Sequence, residues 1–308
     1  MLLPGKWRKS KHQLVIQLML CFKVDNMKFA IEIWEPKRRT CKAVSAMILV
    51  IAVSLISSCS SMKDAGIIVA GSTSVQPYAE ILAEEYMIRH PDAMVDIQGG
   101  GSSAGIMAAQ SGTSNLGMSS RVLEGDEKSL WSVEIARDGL AIIVNPANPI
   151  QNLTIDQISD IYSAKISDWS QLGGTAAKIH IITREDGSGT RDAFVKLVMG
   201  KSSITPRAIV QDSNGAVRQL VGDDPNAIGF ISLGLVDETV KALQLGGVEA
   251  TRDNVINGSY DLSRPFLFVA NEEPTGQTKQ FLDFVLSDEG QQILINEGLI
   301  PPSEGTEK

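Results

Sequence analysis

The stretch Arg184 to Arg191, REDGSGTR, sets two hydroxyls, Ser188 and Thr190, around Gly189, with an arginine at each end and the acids Glu185 and Asp186 inside. An apolar IHIIT (Ile179 to Thr183) stands before it and a helix-patterned DAFVKLVMG follows, so a strand hands over to a helix here. These residue types at such a junction suit the holding of an oxyanion. Glycine lets backbone N–H groups approach closely, a helix start supplies unpaired donors and a favourable dipole, and Ser or Thr adds a hydroxyl. Arg184 at the strand end adds a charged, two-pronged donor. Three more turns share the composition: Gly71-Ser72-Thr73-Ser74, Gly99-Gly100-Gly101-Ser102-Ser103 and Ser119-Ser120-Arg121. Any one of them also reads as a plain helix cap. Four together, with an arginine and with glycine on both sides of the hydroxyls, read as a socket for a small multi-oxygen anion. Asp186 either steadies the Arg184 guanidinium or forms a solvated surface pair, and Arg191 either serves the anion or points to solvent.

The elements that position these turns alternate strand and helix. Ile67 to Ala70 reads as a short strand, after which Val75, Tyr78, Ala79, Leu82 and Tyr86 recur at helical spacing up to His90-Pro91. Met94 to Ile97 is the next strand, Ala104 to Gln110 a helix, Asn115 to Met118 a strand, and Leu140 to Val144 closes a first segment before NPANP. In the second segment Thr154-Ile-Asp-Gln157 has capping-box spacing, and Lys178 to Thr183, Asn226 to Ile231 and Arg264 to Ala270 read as strands. Thr278 to Asn296 reads as one long terminal helix with Phe281, Phe284, Val285 and Ile293 facing a core. The alternation indicates α/β architecture, and its turns lie at the carboxyl ends of strands, where open α/β sheets bind ligands.

Other chemistries do not fit. Gly200-Lys201-Ser202 ends like a P-loop, but Val195 stands where the first glycine belongs. Gly99 to Gly105 misses the dinucleotide fingerprint by one residue, and Ser188 lacks the G-x-S-x-G elbow. His12, His90 and His180 are scattered, so neither a triad base nor a histidine metal cluster is apparent. No catalytic residue, metal or cofactor is assigned.

The 308-residue chain is long enough for two domains, and its 43% apolar content reads as globular. Ala43 to Cys59, AVSAMILVIAVSLISSC, is uncharged, about 17 residues long and preceded by Lys37, Arg38, Arg39 and Lys42. It reads as a secretory signal, with a short membrane span as the alternative. All three cysteines, Cys21, Cys41 and Cys59, fall at or before its end. Residues 1–58 hold 10 Lys or Arg against 3 Asp or Glu, leaving 18 against 33 downstream, a net of −15. So acidic an exported part excludes nucleic acid and electrostatic docking on anionic lipid, and any anion must be held by a local site.

Ile56-Ser57-Ser58-Cys59 resembles the lipobox of lipoproteins, which implies lipid attachment at Cys59. From Ile67 to Pro302 the chain resembles the phosphate-binding lipoproteins of ABC-type phosphate uptake systems, a family with the type II periplasmic binding-protein fold. The resemblance is carried by GSTSVQPYAE, QGGGSSAG, LGMSSR, IYSAKISDWSQLGG, REDGSGTR, SNGAVRQLV and PNAIGF, in that order. It implies two α/β lobes with a ligand cleft between them, lobe 1 from residues 66–144 plus 260–302 and lobe 2 from residues 145–259, after a leader at 1–58 and a lipidated linker at 59–65. It implies inorganic phosphate as ligand and the permease and ATPase of a transporter as partners. The chain would then sit, lipid-anchored, on the outer face of the cell membrane. Carried over residue by residue, the phosphate ligands are Ser72, Thr73, Ser102, Arg184, Ser188, Gly189 and Thr190, with Asp186 orienting Arg184. Ser120 stands where many members have an aspartate that accepts the proton of hydrogen phosphate. Serine both donates and accepts, so sulfate or another tetrahedral oxyanion is the alternative ligand, and a cell-surface module without transport is the alternative role.

Overall fold

The computed structural model describes residues 66–302. The expected leader, the linker 59–65 and Cys59 lie outside the described residues.

The chain opens with β1 (Ile67–Gly71), α1 (Gln76–Arg89), β2 (Val95–Gly99), α2 (Ser102–Ser111) and β3 (Leu116–Ser119). α1 carries Pro77 in its first turn, where the missing N–H would have had no partner within the helix, and buries Tyr78, Ala79, Leu82, Ala83 and Tyr86. β1 pairs parallel with both β2 and β3, as crossover helices require. β4 (Trp131–Val144) then runs for 14 residues.

The second part carries β5 (Asn152–Leu153), α3 (Ile155–Tyr162), β6 (His180–Arg184) and α4 (Gly189–Phe194), which widens into a π turn over Val195–Met199. β7 (Ile209–Gln211), α5 (Asn214–Asp223), β8 (Ala227–Ser232), β9 (Lys241–Ala242), β10 (Gln244–Leu245) and α6 (Arg252–Ile256) follow. The chain returns through β11 (Ser263–Ala270), α7 (Gly276–Leu286) and α8 (Asp288–Asn296). The capping box expected at Thr154 is present, its hydroxyl accepting from Gln157 N while the Gln157 side chain accepts from Thr154 N.

Along the sheet the strands run β2-β1-β3-β11-β4-β8-β6-β7, with β9 on β4. β4 is the shared element. Its first half pairs antiparallel with β11, and from Leu140 onward it pairs antiparallel with β8. Val133, Ile135 and Ala136 accordingly pack in a first core with α1, α7 and α8, through Tyr78, Leu82, Tyr86, Phe281 and Leu294. Leu140, Ile142 and Val144 turn one face to a second core containing Trp169, Phe194 and Phe230, while Ala141 and Ile143 turn the other to Val217 and Val221 of α5. Phe194 stacks on Phe230 with centroids 4.1 Å apart, and each such ring is worth about 1.5–3 kcal/mol by burial.

Two sequence expectations are corrected. The changeover between cores falls near Asp138 and Gly139, and Tyr260, Leu262 and Ile300 pack in the second core, so the divisions at 144/145 and 259/260 are displaced by packing. The helix expected over Thr278 to Asn296 is two helices broken at Ser287, whose extended backbone (ψ 161°) ends α7 and whose hydroxyl caps α8 by accepting from Gly290 N.

Candidate functional site

β1, β3, β6, β7 and β8 bring their carboxyl ends to the place where the two lobes meet, and the four polar turns of the sequence follow these ends or that of β2. Direct bonds cross between lobes here: Ser103 N donates to Gly187 O (3.0 Å) and Arg184 Nη2 donates to Thr73 Oγ1 (3.2 Å). Gly187 has φ of 89°, a left-handed turn that aims its carbonyl at Ser103 and that a side chain would strain.

Arg184, the last residue of β6, is only 1% exposed. Its Nε and Nη2 donate to the two carboxylate oxygens of Glu185 (2.8 Å each), and further to the carbonyls of Gln211 (3.2 Å) and Asp212 (3.0 Å). Its Nη1 is buried without a protein partner. Leaving a buried charged donor unpaired costs at least about 1–3 kcal/mol, a penalty that an anion in the cleft would relieve.

Asp186 does not hold this guanidinium. Its side chain is 93% exposed and pairs with Arg191, which answers both open alternatives in favour of a surface pair. Glu185, next to Arg184 and one methylene longer than aspartate, reaches both donors from outside the turn, whereas Asp186 already lies in the turn and faces the next helix.

Around Arg184 the structure gathers the expected hydroxyls. Ser72 Oγ donates to Ser120 Oγ (2.9 Å), Ser120 N donates to Ser102 Oγ (3.0 Å), and the hydroxyls of Ser102 and Ser120 lie 3.3 Å apart. All three are buried. Gly189 sits directly on this triangle, for a Cβ there would lie 2.2 Å from Ser102 Oγ and 2.7 Å from Ser120 Oγ. Ser188 caps α4 by accepting from Arg191 N (3.3 Å), and Thr190 Oγ1 lies 2.7 Å from Ser74 Oγ. Thus Ser72, Ser102, Ser120, Arg184, Ser188, Gly189 and Thr190 are buried close together, with the half-buried Thr73 linked to them through Arg184.

Sequence reasoning passed over four members of the surrounding shell. Ser74 stands in the first turn but was read only as part of its composition. Asn214, 1% exposed at the first position of α5, donates from Nδ2 to Ser74 Oγ (2.9 Å) and Thr73 Oγ1 (3.4 Å). Arg264 of β11 donates from Nη2 to Ser74 Oγ (3.1 Å) and to Asp138 of β4 (3.0 Å). The strand register opposes Arg264 to Asp138 directly. Burial pushes the Asp138 carboxyl up and the Arg264 guanidinium down, and their mutual attraction opposes both shifts. The signal available in sequence was SNGAVRQLV, with its polar pair ahead of an apolar helix stripe.

At the rim, Arg121 donates to both oxygens of Glu127 (2.7 and 2.9 Å) and pairs through Nε with Asp192 of the other lobe (2.9 Å).

A family model described as the PBP superfamily domain matches residues 57–289. The chain belongs to that superfamily. Within this superfamily, the phosphate-binding protein PstS of Bacillus subtilis is 33% identical over 242 residues, which are 77% of this chain and 80% of that protein. A crystal structure from Clostridium perfringens, described as a phosphate ABC transporter substrate-binding protein with bound phosphate, is 47% identical with a TM-score of 0.75, over 78% of this chain and all of that one. An ABC-type phosphate transport receptor from Vibrio cholerae is 41% identical with a TM-score of 0.65, over 77% of this chain and all of that one. The two crystal structures share the mixed α/β architecture described above.

Proposed function

We propose that the chain binds inorganic phosphate between its lobes, outside the cytoplasm, and delivers it to the permease and ATPase of an ABC importer. The observation that carries this reading is the buried Arg184 guanidinium with Nη1 unpaired and Nη2 on Thr73 Oγ1, together with the linked hydroxyls of Ser72, Ser102 and Ser120 against the start of α4 at Gly189. The names and bound phosphate of the relatives support the ligand, and their names support the transporter as destination.

In this reading the protein exchanges the hydration shell of phosphate for fixed donors. Each charge-assisted bond is worth about 1.5–3 kcal/mol net, and micromolar affinity needs about 8 kcal/mol. A handful of contacts therefore suffices, while the electrostatic attraction comes from one arginine in a chain that is otherwise acidic. Ser188, Gly189 and Thr190 hold the ligand from the second lobe, Ser72, Thr73, Ser102 and Ser120 from the first, and bridging the two favours closure. Glu185 positions Arg184.

Sulfate is a second reading favoured by one observation. The carboxyl groups of Glu185 and Asp138 are committed to Arg184 and Arg264, so neither is free to act as the carboxylate that rejects an ion without a proton. Calorimetric titration of the chain with phosphate, then with phosphate against excess sulfate, separates the readings. A micromolar or tighter phosphate isotherm unmoved by sulfate supports phosphate uptake; equal competition moves the assignment to tetrahedral oxyanions generally; absence of phosphate binding overturns it. Lipid anchoring through Cys59 belongs to the same proposal. Cys59→Ser should then release the chain from the membrane fraction, and retention there would reject the anchor.

A further inference from the structure

The directions of the hydrogen bonds around Asn214 are decided by groups that have no choice. Asn214 Oδ1 accepts from the backbone N–H of Ser232 (3.2 Å). A backbone N–H only donates, so the amide cannot be turned over, and Nδ2 faces the cleft. Its two hydrogens go to Ser74 Oγ and Thr73 Oγ1.

Each of those hydroxyls receives a second obligatory donor. Ser74 Oγ also accepts from Arg264 Nη2, and Thr73 Oγ1 also accepts from Arg184 Nη2. A hydroxyl has two lone pairs and one hydrogen. With both lone pairs engaged, Ser74 has only its hydrogen left to give, and the oxygen in reach is Thr190 Oγ1 at 2.7 Å. Thr190, accepting from Ser74, turns its own hydrogen elsewhere. Thr73 is biased the same way but less strictly, because it takes a 3.4 Å bond from Asn214 Nδ2 and a 3.2 Å bond from Arg184 Nη2, whose two hydrogens also serve Glu185 Oε1 and Asp212 O.

We propose that Asn214 is a positioning residue that sets the polarity of the cleft: with Arg264 acting through Ser74 it compels the hydroxyl of Thr190 to present its hydrogen to an anionic ligand, and with Arg184 it biases that of Thr73 toward the same role. The amide thereby turns two ambivalent groups toward donation without placing a charge of its own beside the anion. The contacts also cross between lobes, since Ser74 and Thr73 follow β1 while Asn214 and Thr190 begin α5 and α4, so the donor orientation is complete only where the lobes meet. The inference rests on the phosphate reading above and deepens it.

The test is a mutant cycle read by calorimetry with inorganic phosphate on the full chain. Asn214→Ala is expected to weaken phosphate binding about tenfold, the worth of one charge-assisted bond. Repeated in a Thr73→Val/Thr190→Val background, the same substitution should change affinity by less than about twofold, because its targets are gone. A tenfold loss persisting in that background would overturn the proposal and leave phosphate binding intact as the function; a wild-type chain that ignores phosphate would overturn both. Because Asn214→Ala also strands the Ser232 N–H, Ser74→Ala paired with Thr190→Val provides a cycle that leaves Asn214 in place. Non-additivity there supports the relay, and additive losses reject it. Ser74→Thr, which keeps the hydroxyl, should restore affinity to within about threefold of wild type, whereas a residue that merely packs would not be rescued by its hydroxyl alone.

Discussion

Two sets of the polar groups that join the lobes are built differently. In the interior, Arg264 and Asp138 are 2% and 1% exposed, and their bonds continue through Ser74 to Asn214 and Thr190. At the rim, Lys196 reaches Glu124 across the lobes at 3.4 Å with both side chains more than 60% exposed, and Arg121 bridges Glu127 to Asp192 in between. Water and salt screen the rim, and an exposed pair there contributes about 0–1 kcal/mol. The interior has no such buffer, so a donor left there without an acceptor is costly. The contrast implies that ligand affinity is set inside and that the rim only trims the balance between open and closed arrangements.

Substitutions that break this contrast should rank accordingly. Asp138→Ala leaves Arg264 buried and uncompensated and should remove about 3–5 kcal/mol of stability in urea unfolding; a loss below 1 kcal/mol would mean that water reaches the pair. Arg184→Ala removes two or more charge-assisted contacts, about 3 kcal/mol, and should weaken phosphate binding about a hundredfold or more in calorimetry while circular dichroism stays that of the folded chain. Affinity like that of wild type would displace Arg184 from the site. Glu127 sharpens the comparison through pH. Hydrogen bonds from Arg121 hold its carboxyl below the ordinary value, so its stabilising contribution is present above about pH 4.3 and is lost as pH falls through the depressed folded value. Glu127→Gln should therefore flatten part of the acid-side fall in melting temperature, and an unchanged profile would count against the pairing. Lys196→Ala should change stability by no more than about 0.5 kcal/mol, and a larger loss would show that the rim pair is not screened.

Much of the molecule was legible in its sequence where one residue type dominates a short run. The apolar runs at Ile67, Leu116 and Ala227 are strands within a residue or two of expectation, and the turns after the first two hold the hydroxyls as their composition suggested. β4 was half hidden, because Glu134, Arg137, Asp138 and Gly139 interrupt its apolar alternation. Asp138 finds its partner more than a hundred residues away on β11, and no local pattern announces that. The same holds within the site. Ser72, Ser102, Arg184 and Thr190 declare themselves by glycine neighbours and position at a strand end. Asn214 looks like any polar residue opening a helix until the fold brings Thr73 and Ser74 to it. The choice between Glu185 and Asp186 turned on reach, one methylene and one step along a turn, which spacing alone does not resolve.

One feature of the sheet bears on how the protein moves. At the changeover the two passing segments are laddered to each other, with Leu140 N donating to Leu262 O (2.8 Å) and Gly139 and Asp138 opposite Ser263 and Arg264. Sliding one strand along its neighbour would break these bonds together, whereas flexing the ribbon out of its plane strains each only slightly. The connection is a leaf spring and not a swivel. It is stiff against shear and compliant in one bending mode.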